Sequence, residues 1–143
     1  MQNIENVVLN FRESIVELVR VKSLPRLSTF PRGCCNDSAF LLGTYLDHNG
    51  FGEFEAVGAC SSTEGNGTTH SWLEKGDLVI DITRSQFSGN ISNVYIGNSP
   101  EWYGDWVVKQ RLSAQIFNER LALASTYNKI VDNIKEINRL RLD

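Results

Sequence analysis

The apolar residues of this chain change period twice, and those changes limit what it can fold into. Ile4, Val7, Val8, Phe11, Ile15, Leu18 and Val19 recur on one side of a helix, so residues 2–22 read as amphipathic helix. Pro25 forbids its continuation. Across residues 54–82 the period shortens to that of strands. Residues 54–60 make a first strand, with Phe54, Ala56, Gly58 and Cys60 on one face and Glu55, Val57 and Ala59 on the other. The run 61–69 is rich in Ser, Thr and Gly, and its 65–69 end is expected to be mobile. Residues 70–74 and 78–82 make two further strands joined by a hairpin turn at Lys75-Gly76-Asp77, and 94–96 supply a fourth. From about residue 101 the helical period returns. Leu112, Ile116, Leu121, Ala124, Tyr127, Val131, Ile134 and Ile137 predict a terminal helical stripe with a break near Thr126.

The element that organises this order begins at Pro31-Arg32-Gly33-Cys34-Cys35. A turn made by Pro31 and Gly33 runs into a second helix over 35–48, whose apolar stripe is Cys35, Ala39, Leu42 and Leu46. Gly50 can close it in the left-handed conformation. A thiol in the first turn of a helix faces unpaired N–H groups and the positive end of the macrodipole, which favour thiolate. The expected architecture is therefore α+β: helix, cysteine helix, antiparallel meander and terminal helix, in one domain spanning 1–143.

Charge and composition exclude several classes. The net charge of −3 offers no general attraction to nucleic acid or anionic lipid. The sequence holds no apolar run of membrane-spanning length, and the N-terminus lacks the basic flank and apolar stretch of a signal peptide. Three cysteines, two of them adjacent, suit no disulfide framework. Reduced thiols in a cytoplasmic protein are expected, with delivery by a leaderless secretion route left open. Adjacent cysteines chelate poorly and no C-x-x-C pair exists, so Cys34, Cys35, Cys60 and His70 are not expected to bind metal. No cofactor is implied.

An activated cysteine needs a base and an orienting group. The chain has two histidines. His48 sits at the far end of the cysteine helix, roughly 20 Å from Cys35 at 1.5 Å per residue, and reads as a C-terminal cap. His70 opens a strand at the rim of the sheet. A three-residue hairpin turn would set Asp81 directly across the ladder from His70, close enough to accept from the imidazole and fix its tautomer. Singly, these residues have plain structural readings: a buried thiol, a satisfied histidine, a turn former. Together they describe nucleophile, base and orienter.

Three short motifs carry a resemblance. Cys35-Asn36-Asp37-Ser38-Ala39 is similar to the C-x-D-x-A that opens the nucleophile helix of bacterial transglutaminase-like proteins. His70-Ser71-Trp72-Leu73-Glu74 resembles their H-x-W-x-E strand, and Asp81-Ile82-Thr83 their D-x-T. The order Cys, His, Asp is that of the wider papain-like superfamily of cysteine hydrolases. The resemblance covers about residues 30–85 and implies a papain-like fold with Cys35 as nucleophile, His70 as general base and acid, and Asp81 as orienter. It implies a protein or peptide substrate and leaves peptidase, glutamine deamidase, crosslinking effector or toxin, and inactive interaction module open. Cys34 then precedes the nucleophile as a packing or substrate-side residue. Gln86 is a candidate oxyanion donor. Trp72, with Trp102, Tyr103 and Trp106, either lines a substrate groove or packs as core, and the 101–106 cluster could equally staple the terminal helix to the sheet.

Overall fold

Asn3 starts the first helix by accepting from the backbone N–H groups of Glu5 and Asn6 at 2.8 and 3.3 Å, in a computed structural model that describes residues 3–61, 68–86, 93–98 and 102–142. That helix, α1 (Ile4–Arg20), buries Val7, Val8, Phe11 and Ile15 as its period requires. Ser14 on the same face joins it to the C-terminal helix by donating to Ile130 O at 3.2 Å and accepting from Asn133 at 2.9 Å.

The second helix, α2 (Cys35–His48), is buried almost all round from Ser38 to Leu46, which makes it the central helix of the molecule. Gly43 is required there, because a Cβ at this position would collide with Ala114. The helix ends as its sequence predicts: Gly50 takes φ 87°, and the Phe51 N–H returns to Leu46 O at 3.0 Å. His48 does not cap its last carbonyls. Its Nδ1 meets the Tyr127 hydroxyl at 2.7 Å, tying α2 to the terminal helix, and Asn49 donates to Tyr45 O instead.

Five strands form one antiparallel sheet: β1 (Glu55–Ser61), β2 (Thr69–Lys75), β3 (Leu78–Asp81), β4 (Tyr95–Gly97) and β5 (Trp106–Ser113), in the order β4-β3-β2-β1-β5. The first four are the expected meander. Part of the predicted terminal stripe is wrong, because residues 106–113, including Leu112, form an edge strand against β1 rather than helix. Most of β5 is exposed, so its side chains show neither an alternating nor a helical burial period. Helix begins only with the short α3 (Ile116–Glu119), and the long α4 (Ala124–Leu142) follows a 3-10 turn at Leu121–Leu123. The break therefore falls at 120–123 rather than near Thr126.

The β2–β3 hairpin also departs from expectation. Lys75 pairs with Leu78, so the turn is two residues with Gly76 at φ 60°. The register continues through Glu74–Val79 to Leu73–Ile80, which sets Asp81 beside Trp72 and leaves His70 diagonal to it on the same face.

The two faces of the sheet are covered differently. Ala56, Leu73 and Ile80 pack into the main core with α1, α2 and α4, whereas Val57, Ala59, Trp72 and Val79 pack against Tyr103 and Trp106. The 102–106 aromatics thus staple their own loop, not the terminal helix, to the sheet; Glu101 lies outside the described residues, as do residues 62–67, which include 65–67 of the segment expected to be mobile. Among the described residues no helix is long and apolar enough to cross a membrane.

Candidate active site

Gly33, at φ 69°, turns the chain into α2 and sends two adjacent thiols into opposite environments. Cys34 is 3% exposed within the apolar core, its Sγ 3.7 Å from Thr29 Oγ1. Burial pushes its thiol up, and the Thr29 contact offsets only part of that. Cys35, the first residue of α2, is half-buried. Burial acts on it in the same direction, but a side-chain hydrogen bond with His70, the charge of that imidazole and the Ser71 backbone N–H act oppositely and win. Its thiol is held below the ordinary range, which favours the thiolate.

His70 is fully buried. Its Nε2 meets Asp81 Oδ2 at 2.6 Å, leaving Nδ1 for the side of Cys35 and Gln86. Burial alone would lower this imidazole. The hydrogen bonds and charges of Asp81 and Cys35 raise it instead, to about 9. The two shifts run in opposite directions, because the charged form of each group favours the charged form of the other.

Asp81 ends β3 and is itself 2% exposed. Its Oδ1 accepts from the Thr83 backbone N–H at 3.0 Å, and its Oδ2 accepts from the Tyr103 hydroxyl at 2.9 Å as well as from His70. Every direction of approach is occupied, so the carboxylate is fixed in one orientation. Sequence reasoning missed Tyr103 in this role. The only signal was its place in an aromatic cluster, which says nothing of where a hydroxyl points.

Gln86 lies in the 3-10 turn Arg84–Gln86. Its Oε1 accepts from the Gly33 N–H at 3.4 Å and its Nε2 stands 3.3 Å from His70 Nδ1. The amide thus bridges the loop before the cysteines and the imidazole. Trp72 is 2% exposed, its ring centroid 5.7 Å from that of His70, and its Nε1 donates to Glu74 Oε2 at 2.7 Å. It forms the floor of a groove of about 380 Å³ shared with Tyr103, Trp106 and Arg111. Asp37, in the first turn of α2, pairs with Arg120 at 2.6 Å and anchors that turn. Cys60 lies on β1 and belongs to no cluster with these groups; among the described residues no three His, Cys, Asp or Glu side chains converge as a metal site.

The arrangement brings a lowered thiol, a raised imidazole and a buried carboxylate into one chain of hydrogen bonds. Chemically it can pass a proton between sulfur and imidazole while the carboxylate holds the ring. Comparison with protein-family models, with curated proteins and with solved structures found no significant match to this chain.

Proposed function

We propose that the protein is a thiol-dependent hydrolase or acyl transferase acting on amide bonds of a protein or peptide, with a transglutaminase-like, papain-like arrangement of nucleophile helix and sheet. The observation that carries this reading is the Cys35–His70–Asp81 chain, with its lowered thiol and raised imidazole. Cys35 thiolate attacks the carbonyl carbon of a carboxamide or peptide. The His70 proton passes to the departing ammonia or amine, leaving a thioester. His70 then removes a proton from water, which releases the acid and regenerates the thiol. The same thioester taken by an amine would give a crosslink. The Cys35 backbone N–H and the Gln86 amide are the donors this reading assigns to the oxyanion.

Alkylation tests it. Cys35 should react with iodoacetamide well below pH 8 and faster than Cys34 or Cys60, and His70→Ala should remove that excess. Equal reaction of the three thiols would sink the reading. Ammonia release from glutamine-containing proteins, measured against peptide cleavage, separates deamidase from peptidase. The complete burial of His70 favours one alternative, a non-catalytic interaction module of the same fold, which predicts no such excess.

A further inference from the structure

Arg84 follows Asp81 by three residues and shares its 3-10 turn with Gln86. Its guanidinium carbon lies 5.1, 5.2 and 5.9 Å from the ring centroids of Tyr95, Trp102 and Tyr103. Aromatic faces attract a cation but accept few of its N–H bonds. The Arg84 Nε is buried with no hydrogen-bond partner, and no ion pair to Arg84 exists among the described residues. Three other arginines meet carboxylates: Arg111 pairs with Glu74 and Glu55, Arg120 with Asp37, and Arg139 with Glu136, while Arg12 donates its Nε to Ile82 O at 2.8 Å.

The place of this uncompensated charge matters. Trp102 is 5.2 Å from the Arg84 guanidinium carbon on one contact and 5.8 Å from the His70 ring on another. The cation and the imidazole therefore share one indole as a neighbour. Arg84 is half-buried, so part of its side chain remains in reach of solvent. A cation held beside the site in a chain of net charge −3 runs against the overall balance. The rings and the turn fix the guanidinium in advance, so an incoming carboxylate would meet a planar fork already in place.

We propose that Arg84 is a substrate-recognition residue: held by Tyr95, Trp102 and Tyr103, of which Trp102 also packs on His70, it receives a carboxylate borne next to the amide that Cys35 attacks. The site thereby selects acidic polypeptide segments. This inference rests on the thiol reading of Cys35.

Two measurements test it, and neither needs an identified substrate. In the first, Cys35 is alkylated with anionic iodoacetate and with neutral iodoacetamide. Arg84→Gln should lower the iodoacetate-to-iodoacetamide rate ratio about two- to fivefold, the size expected for one nearby charge in a partly exposed site, and Arg84→Lys should keep it. In the second, wild-type protein is protected from iodoacetamide by two short peptides that differ only in Glu or Gln beside a common glutamine. The acidic peptide should protect at about threefold lower concentration or less, a difference of under 1 kcal/mol. The second arm stands even where Arg84→Gln fails to fold. An unchanged ratio, or equal protection by both peptides, overturns the role of Arg84. Loss of the preferential iodoacetamide reaction in wild type overturns the thiol reading instead, so the two failures are distinguishable.

Discussion

On one face of the sheet Ala56, Leu73 and Ile80 meet the helices through carbon alone; on the other, Trp72, Trp102 and Trp106 surround an imidazole hydrogen-bonded to a carboxylate. The first face is apolar burial without direction. The second buries polar groups that are costly unless each finds a partner, and there Tyr103, Thr83 and His70 saturate Asp81. The difference teaches where stability and chemistry separate. A fault on the helix side should weaken the fold, and a fault on the aromatic side should change reactivity first. Cys34 and Cys35 repeat the contrast within two residues.

The largest expected effect is on the aromatic side. Asp81→Asn keeps the shape but removes the charge that raises His70 and selects its tautomer. Turnover, once a substrate is in hand, should fall about 10⁴-fold. A loss under tenfold would mean that Asp81 is only structural.

Next comes the opposite face. Leu46→Ala, fully buried in α2, should cost about 2–5 kcal/mol in denaturant unfolding. The iodoacetamide rate at Cys35 should not change while the protein is folded. A parallel fall in both would show that the faces are not separable.

The cysteine pair sharpens the comparison further. Cys34→Ser should cost about 1–3 kcal/mol, since a hydroxyl replaces a thiol in an apolar site, with turnover retained. Cys35→Ser should leave the protein folded and abolish turnover. An exchange of these outcomes would move the nucleophile to Cys34. Tyr103→Phe removes one donor from Asp81, and about 1 kcal/mol of stability with a few-fold loss of turnover is expected.

The smallest effect is one of pH. His70 is raised from 6.5 to about 9, so its contribution to stability is complete below 6.5 and is lost as pH rises through about 9. Cys35 is lowered, so its contribution is present above the ordinary thiol value of 9.0 and is lost as pH falls through the lowered one. The two dependences have opposite signs, so each offsets part of the other. Between pH 6.5 and about 9 stability of the wild type should thus fall less steeply with pH than that of Cys35→Ala, in which only the His70 dependence remains. Turnover should fall as pH rises through about 9. Identical unfolding curves for the two proteins across that range would remove the ion pair.

Much of this was legible along the chain. Apolar period and the Pro31–Gly33 turn placed α1, α2 and the meander within a few residues, because local sterics and amphipathic spacing act at short range. Spacing also marked Cys35, His70 and Asp81 as candidates. It misjudged the hairpin by treating Lys75 as a turn residue. It took β5 for helix, because an exposed edge strand carries no burial period of its own and exists only by pairing with β1.

The order of residues by itself determined α1, α2 with its start, and the set of groups able to do chemistry. Tertiary structure alone decided that Cys34 lies in the core while Cys35 meets His70, that Tyr103 holds Asp81, and that Arg84 stands uncompensated among rings. The physical reason is range. Helical period and turn sterics are set within a few residues, whereas desolvation and hydrogen-bond partnership depend on atoms that the chain brings together from far apart.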